Sequence, residues 1–328
     1  MNYLAVDVGG TSTRAAVVAA DGSCLGYGTA GSGNPTSFDT ITAVTAIVAA
    51  TRTALAAAAS TPADITSGVV GIAGAGGATG PRLHRELISA GLPEPLTMEP
   101  DLLVAYHSGS LAPDGYVLVA GTGAAAVRIR DHQIEATADG LGWLLGDAGS
   151  GFWIGHRAVS AAAATLDGRG QPTALVDLVL SQLGIATTGP VNDGGRPNAL
   201  QQLVHVVYGL RPVELARLAP LVFEAAEGND EVAGRIVARA GHALATTLGA
   251  VVDPRLVGPL VLGGSILAHQ PSVARQAIVA LPRGTAAPSV VTVADGVAGA
   301  IVLALRHADN VVDESVFGRI HTSLATLR

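Results

Sequence analysis

Two segments of the chain, about 113 residues apart, repeat one pattern of an apolar strand, a glycine-containing turn and a second apolar strand. They read LAVDVGGTSTRAAVV (residues 4–18) and YVLVAGTGAAAVRIR (residues 116–130). A repeated strand-turn-strand unit predicts two related halves, each beginning with a β-hairpin, that face one another across a cleft. The length of 328 residues agrees with this prediction, because it exceeds the usual size of a single hydrophobic core.

The remaining pattern predicts an α/β fold in which buried strands alternate with helices. Further strands are predicted at SCLGYGTA, SGVVGIAG, PLTME, PLVLGG and SVVTVA. Helices are predicted at roughly 38–59, 79–90, 101–109, 150–166, 172–184, 198–208, 212–226 and 229–249, with a closing helix from Asp295.

The composition excludes several classes of function. All 19 basic residues are arginine, so a Walker-type lysine and Schiff-base catalysis are both excluded. The formal net charge is −7 and no basic run stands out, which disfavours a nucleic-acid or anionic-membrane partner. Cys24 is the only cysteine, so one chain cannot form a disulfide, a thiolate zinc cluster or an iron–sulfur site. We expect a cytoplasmic protein, because the N-terminus lacks the charged region and cleavage site of a secretory signal.

The first turn carries the groups that a phosphate-binding loop needs. Glycine lets backbone N–H groups approach phosphate oxygens, and neighbouring hydroxyls add hydrogen-bond donors. The candidate residues are Gly9, Gly10, Thr11, Ser12 and Thr13. Asp7, at the end of the preceding strand, is a carboxylate that can hold Mg²⁺ through water. The alternative interpretation is an ordinary hairpin turn with polar residues.

Two later strands also end in glycine turns. Gly121, Thr122 and Gly123 follow the strand YVLVA, and Gly263 and Gly264 follow the strand PLVL. Open α/β sheets bind their ligands at strand ends. Two facing hairpins of amide donors, together with Mg²⁺, can neutralise a triphosphate without any lysine.

Three polar side chains close to strand or helix ends are candidates for contact with a second substrate. Asp101 follows the strand PLTME and opens a helix, which suits a base that takes a proton from a hydroxyl; the alternative is a helix N-cap, and both roles can hold. Asp147 precedes the helix near residue 150, and Asn34 lies in the loop GSGNP. Each can hydrogen-bond sugar hydroxyls, although helix-entry and turn roles are the alternatives.

With these motifs the chain resembles the sugar-kinase and actin ATPase superfamily and, within it, the BadF/BadG-type N-acetylglucosamine kinases and the related bacterial glucosamine kinases. The matching motifs occur in the order of the family and cover nearly the whole chain. They are VDVGGTST, GSGNP, EPD, VAGTGA, GWLLGDAGSGFWIGHRAV and LVLGGSI. The resemblance implies a two-lobed, ribonuclease-H-like α/β fold that binds ATP and Mg²⁺ in a central cleft.

The resemblance also implies a role for each candidate residue. Residues 7–13 would form the first phosphate loop and residues 121–123 the second, and Asp101 would be the catalytic base. Gly263, Gly264 and Ser265 would lie against the adenosine. The sugar contacts would come from Asn34, Asp101, Gly121, Thr122 and Asp147.

The chain departs from the family pattern near the expected sugar pocket. Family members often have serine in place of Ala124, glutamate in place of Ala148, and GGWG in place of residues 139–142, which read DGLG here. A free amine is a cation with which the carboxylate of Asp139 can pair, whereas an N-acetyl group needs an apolar wall and amide partners. On this ground the sequence favours glucosamine as the sugar phosphorylated on C6, with N-acetylglucosamine as the alternative substrate.

The expected domains are an N-terminal lobe of residues 1–113 plus about 305–328 and a C-terminal lobe of residues 114–304. We expect a homodimer that binds a small amino sugar and neither nucleic acid nor membrane. A sugar- or nucleotide-sensing regulator without turnover is a further alternative, but Asp101 is present and a basic DNA-binding module is not. A dinucleotide oxidoreductase built on VVGIAGAGG fails the G-x-G-x-x-G spacing, because position 79 is threonine.

Overall fold

Two five-stranded sheets of the same design form the frame of the protein. The computed structural model describes residues 1–33, 40–74, 79–186, 195–281 and 289–328. The first sheet consists of β1 (Asn2–Val8), β2 (Thr13–Ala19), β3 (Cys24–Ala30), β4 (Ile65–Ile72) and β5 (Leu96–Pro100). Its strand order is β3-β2-β1-β4-β5, with β1 antiparallel to β2 and parallel to β4.

The second sheet repeats this arrangement. It consists of β6 (Gly115–Ala120), β7 (Ala124–Arg130), β8 (Gln133–Asp139), β9 (Leu260–Gly263) and β10 (Val290–Thr292). Its order is β10-β9-β6-β7-β8, with β6 antiparallel to β7 and parallel to β9. The shared strand order confirms the two related halves that the repeated hairpin predicts.

β8 is not among the strands predicted from the sequence. Its residues QIEATAD alternate between half-buried and exposed positions at the edge of the sheet. Glu135 pairs with Arg128 and Arg130 of β7, at 2.6 and 2.8 Å. An edge strand of this kind buries little apolar surface, so its sequence carries a weak signal, and pairing with β7 forms it.

Helices cover the outer faces of both sheets. The outer face of the first sheet carries α1 (Thr40–Ala57) and α2 (Thr79–Ser89). On the outer side of the second sheet, one apolar cluster includes side chains of α4 (Gly151–Leu166), α5 (Leu175–Gln182), α6 (Asn198–Tyr208), α7 (Ala219–Glu227), α8 (Glu231–Gly249), α9 (Ser265–His269) and α10 (Pro271–Ala277). Short 3₁₀ helices are found at Pro62–Asp64, Pro212–Leu218 and Ile278–Ala280.

A central layer of helices lies between the two sheets. It is formed by α3 (Asp101–Gly109), α11 (Val297–His307) and α12 (Glu314–Leu327). One apolar cluster joins their side chains to Val69 of the first sheet and to Val117 of the second. The chain is therefore a stack of five layers in which both sheets share the middle one.

The return of the chain to the first sheet bears on the division into lobes. α11 packs against α3, β1 and β4, and α12 packs against β3. The lobe boundaries stay a prediction. From this packing we propose that the C-terminal segment of the N-terminal lobe begins near Val297, at the start of α11, and not at residue 305.

α1 is, among the described helices, the one whose length and composition would allow it to cross a membrane. One such helix is weak evidence for a membrane span, because the core helix of a soluble protein passes the same test. α1 packs along β2 and β3 and buries Ala43, Ile47 and Ala50 in the outer cluster of the first sheet. We therefore assign α1 to the outer helical layer.

Gly299 lies where α3 and α11 meet, and a side chain there would force them apart. A Cβ atom at Gly299 would overlap the carbonyl oxygen of Val104 and lie 2.6 Å from the nitrogen of Ser108. We predict that Gly299→Ala lowers the free energy of unfolding by about 1–3 kcal/mol, as overpacking of a core does. Urea unfolding followed by circular dichroism measures this change.

Gly318→Ala is the matched control, because nothing lies within 4 Å of a Cβ atom at that position of α12. Alanine is the better helix former, so this variant should be more stable by up to about 1 kcal/mol. A Gly299→Ala variant as stable as the wild type would contradict the close contact of α3 with α11.

Candidate active site

The glycine turns at residues 9–12 and 121–123 lie against one another at the ends of β1 and β6. A Cβ atom placed on Gly10 would lie 3.0 Å from Oγ1 of Thr122. Both strands run parallel to a neighbour, so the turns lie at the carboxyl edges of the sheets, where α/β proteins bind ligands. The structure brings together the two segments that the sequence predicts to face each other, and their contact with phosphate stays a prediction.

The residues of the first turn differ in their exposure to solvent. The Gly9 N–H donates to the Ser12 carbonyl oxygen at 2.9 Å, which closes the turn. Thr11 is exposed, whereas Gly9, Gly10 and Ser12 are half-buried. Thr13 is fully buried, and its Oγ1 atom has no hydrogen-bond partner among the described residues. The Thr13 hydroxyl is thus shielded from solvent, whereas the other four residues predicted to bind phosphate are at least partly exposed.

Asp7 is a buried carboxylate near the end of β1. Its Oδ2 atom accepts a hydrogen bond from the Gly296 N–H at 2.9 Å and lies 3.8 Å from Nη1 of Arg14. Burial, followed by the negative charge of Asp295, raises the pKa of Asp7 to about 6, although the Gly296 N–H and Arg14 oppose the shift. Additional positive charge at this position would therefore be favourable.

Asp101 is the first residue of α3 and directly follows β5, where the sequence places it. The N-cap position falls on Pro100, so Asp101 lies in the first turn of the helix, where negative charge is stabilising. Its Oδ1 atom accepts the Leu102 N–H at 3.0 Å. Burial raises the pKa of Asp101. Asp101 and Asp7 lie at the same edge of the first sheet, because β1 and β5 both run parallel to β4.

The carboxylate of Asp7 fits a divalent cation that accompanies a nucleotide. The side chains of Asp7 and Asp295 are largely buried, and Arg14 lies 3.8 Å from the first and 3.3 Å from the second. Mg²⁺ is usually bound by one or two carboxylates together with phosphate and water oxygens, and Asp7 fits that role. Among the described residues, no group of three or more His, Cys, Asp or Glu side chains is arranged to hold a metal ion.

The second turn is held in place by the first residues of α4. The Gly151 N–H donates to the Gly121 carbonyl oxygen at 2.7 Å, and the Phe152 N–H donates to the Thr122 carbonyl oxygen at 3.1 Å. The turn also closes on itself, because the Gly121 N–H donates to the Gly123 carbonyl oxygen at 2.9 Å. The carbonyl groups of the turn thus satisfy N–H groups at the start of α4.

Asp147 lies under the second turn. Its Oδ1 atom accepts the Ala124 N–H at 2.9 Å, and its backbone has a φ of 59°. A Cβ atom on Gly123 would lie 2.7 Å from the same oxygen, so glycine is needed for this approach. Burial raises the pKa of Asp147. Asp147 supports the turn through one oxygen, and its predicted contact with a sugar stays a prediction.

Asp139 organises the segment that connects β8 to α4. Its Oδ1 atom accepts the Asp147 N–H at 2.7 Å, and its Oδ2 atom accepts the Ala148 N–H at 3.3 Å. Both oxygens are thus engaged by backbone groups, and the pairing of Asp139 with a sugar amine stays a prediction. The segment between the two aspartates exposes four large apolar side chains, which are Leu141, Trp143, Leu144 and Leu145.

The third glycine turn lies beside the second. Gly264 has a φ of 86°, and a Cβ atom there would lie 2.5 Å from the carbonyl carbon of Ala120 and 2.7 Å from the nitrogen of Gly121. Gly263 ends β9 and Ser265 begins α9. Contact of this turn with adenosine stays a prediction, and Asn34 falls outside the described residues.

Two charged residues of the site were not predicted from the sequence. Arg14 is the cross-strand partner of Asp7 in the antiparallel β1–β2 pair, so the hairpin register contains a signal for it. Asp295 lies nearly 290 positions along the chain from Asp7 and carries no comparable local signal, because the fold alone brings it close.

Comparison with protein families relates this fold and site to a known group. The model of the BadF/BadG/BcrA/BcrD ATPase family matches residues 4–304. That range contains the three glycine turns together with Asp7, Asp101 and Asp147.

Two curated relatives are named as kinases of N-acetylated sugars. The chain is 28% identical over 155 residues to the N-acetylmuramic acid/N-acetylglucosamine kinase of Clostridium acetobutylicum. The alignment covers 47% of this chain and 47% of that kinase. It is 28% identical over 176 residues to the N-acetyl-D-glucosamine kinase of Dictyostelium discoideum, and this alignment covers 51% of this chain and 51% of that kinase. These alignments span about half the length of the relatives.

A solved structure extends the likeness to the whole fold. The crystal structure of a proposed N-acetylglucosamine kinase from Chromobacterium violaceum is 25% identical to this chain, with a TM-score of 0.71. The match covers 92% of this chain and 98% of the other. It confirms the predicted two-lobed, ribonuclease-H-like fold of the sugar kinases.

The raised pKa of Asp7 predicts how stability depends on pH in the absence of ligands. The folded-state pKa of about 6 lies above the ordinary value of 3.8, so the stabilisation from the neutral carboxyl is complete below pH 3.8. It is lost as the pH rises through about 6. Asp7→Asn removes this loss, so we predict that the variant gains about 1–3 kcal/mol relative to the wild type between pH 4 and pH 7.5.

Urea unfolding of the two proteins at matched pH values measures this difference, since the titration of groups that do not interact with Asp7 cancels between them. A stability difference that stays constant from pH 4 to pH 7.5 would contradict the raised pKa of Asp7.

Proposed function

This chain belongs to the BadF/BadG/BcrA/BcrD ATPase family, and we propose that it is an ATP-dependent kinase that phosphorylates a hydroxyl group of an amino sugar. The observation that carries the proposal is the position of Asp101, a half-buried carboxylate at the same sheet edge as Asp7 and the first of two facing glycine turns. The names of the relatives, which are kinases of N-acetylated sugars, support it.

Asp101 would act as the general base. It would take the proton of the sugar hydroxyl as the oxygen of that hydroxyl attacks the γ-phosphorus. Burial raises its pKa, which moves the carboxyl towards the pH at which it accepts a proton most effectively. The Leu102 N–H, 3.0 Å from Oδ1, orients the carboxylate. ATP supplies the phosphoryl group, and Mg²⁺ neutralises charge on its phosphates.

Backbone N–H groups of the two turns would bind the phosphates in place of lysine. Gly10 and Thr122 lie so close together that a ligand between the turns would contact both halves of the protein. Closure of the two halves would exclude water, which protects the nucleotide from hydrolysis by the base. Arg14 would supply a permanent positive charge beside Asp7.

The choice of sugar depends on the segment from Asp139 to Asp147. The sequence alone favours glucosamine, because Asp139 could pair with its amine. In the structure both oxygens of Asp139 already accept backbone N–H groups, which weakens that argument. The same segment exposes Leu141 and Trp143, and an apolar wall suits an N-acetyl group better than a cationic amine. We therefore rank N-acetylglucosamine as the first substrate and glucosamine as the second.

The proposal also includes the adenosine contacts and the sugar contact of Asp147 that the sequence predicts. Gly263, Gly264 and Ser265 would contact the adenosine, and Asp147 would bind sugar hydroxyls. The position of Gly264 and Asp147 beside the second turn supports both assignments. The homodimer and the cytoplasmic location stay predictions from the sequence.

Coupled ADP release in the presence of ATP and Mg²⁺ tests the proposal. The sugar panel is N-acetylglucosamine, glucosamine, glucose and mannosamine. We predict sugar-dependent turnover, fastest with N-acetylglucosamine, and a fall in kcat of about 10²–10⁴-fold in Asp101→Asn, because a general base is lost.

Glu99→Gln is the control for the loss of a nearby carboxylate. Glu99 is half-buried on β5 and pairs with His307 at 3.3 Å, and we give it no part in the reaction. Its variant should turn over close to the wild-type rate. Absence of turnover with every sugar, or full activity in Asp101→Asn, would overturn the mechanism and favour a regulator that binds sugar or nucleotide without turnover.

A further inference from the structure

Four side chains of alternating charge form a row that ends at Asp7. Nη2 of Arg328 lies 2.7 Å from Oδ1 of Asp295, and Nε of Arg14 lies 3.3 Å from Oδ2 of Asp295. Nη1 of Arg14 lies 3.8 Å from Oδ2 of Asp7. The row thus connects β1 and β2 with the start of α11 and the end of α12.

Arg14 is bound more closely to Asp295 than to Asp7. The separation of 3.8 Å from Asp7 is too long for a hydrogen bond, whereas 3.3 Å from Asp295 is a direct contact. Asp295 is itself immobilised, because its Oδ1 atom also accepts the Val297 N–H at 3.1 Å and its side chain is 6% exposed. The guanidinium therefore lies nearer to the immobilised Asp295 than to Asp7.

We propose that Asp295 is a positioning residue that holds Arg14 away from Asp7, so that the Asp7 carboxylate stays available to the divalent cation of a bound nucleotide. The inference rests on the proposed function, because that function requires a metal–nucleotide complex in the cleft. Asp295 would act through Arg14 and touch neither the sugar nor the phosphates.

The chemistry of arginine gives the reason for such a device. A guanidinium forms two parallel hydrogen bonds with a free carboxylate, which would occupy the oxygens that a cation needs. Competition from Asp295 keeps Arg14 from closing on Asp7 in this way. Gly296 contributes as well, because a Cβ atom there would lie 2.6 Å from Oδ1 of Asp7 and cover it.

The test measures the binding of ADP by isothermal titration calorimetry at a series of Mg²⁺ concentrations. In Asp295→Asn, Arg14 is free to pair with Asp7 and compete with Mg²⁺. The Mg²⁺ concentration for half-maximal ADP binding should rise by roughly three- to tenfold, the size expected for coupling within one ion-pair network. Asp295→Ser, which keeps an acceptor for the Val297 N–H, is the second variant should the first fail to fold.

The double variant separates positioning from a merely structural role. When Arg14→Gln is present, the additional change Asp295→Asn should leave the Mg²⁺ dependence as in Arg14→Gln alone, since the competing guanidinium is gone. Asp253→Asn is the matched control, because Asp253 also pairs with an arginine, Arg255 at 3.0 Å, but outside the row. It should leave the Mg²⁺ dependence unchanged.

The possible results distinguish this inference from the proposed function. A wild-type protein without Mg²⁺-dependent ADP binding would overturn both together. Normal binding by the wild type, with the same Mg²⁺ dependence in both Asp295 variants, would overturn the inference alone. A loss of Mg²⁺ affinity on Asp295→Asn that persists without Arg14 would also overturn it, because Asp295 would then act independently of the guanidinium.

Discussion

The candidate site depends on the close packing of α3 against α11 between the two sheets. Gly299 allows this contact because it places no side chain between the helices. Both helices begin at the site: α3 starts with Asp101, and α11 follows Asp295 directly after one glycine. Burial of an apolar layer therefore also positions acidic groups next to Asp7, at one end of that layer.

The electrostatics of the site follow from burying acids in a chain without lysine. Burial raises the pKa of both Asp7 and Asp101, so each carboxylate is less favourable in its charged form than it would be in water. Arg14 offsets part of this cost for Asp7, because its guanidinium lies 3.8 Å from that carboxylate while it is paired at 3.3 Å with Asp295. A metal–nucleotide complex would supply the remaining positive charge together with phosphates for the backbone donors of the turns.

Much of the frame could be predicted from the sequence, because hairpins and amphipathic helices are local patterns. Both glycine turns and the start of α3 at Asp101 lie where the sequence places them. The edge strand β8 was not predicted, since it buries little apolar surface and depends on pairing with β7. The hydrogen bonds of Asp139 could not be predicted from residue type, because a carboxylate can pair with a sugar amine or accept backbone N–H groups of the adjacent loop equally well.

The sequence by itself determined the two related halves, the strand-end position of Asp7 and Asp101, and the absence of any lysine from the site. Each of these follows from composition or from periods of two and 3.6 residues, which neighbours along the chain define. Only the tertiary structure decided that Arg14 is shared between Asp7 and Asp295. The reason is physical: burial and ion pairing act between groups close in space, and the fold brings Asp295 to Asp7 from the far end of the chain.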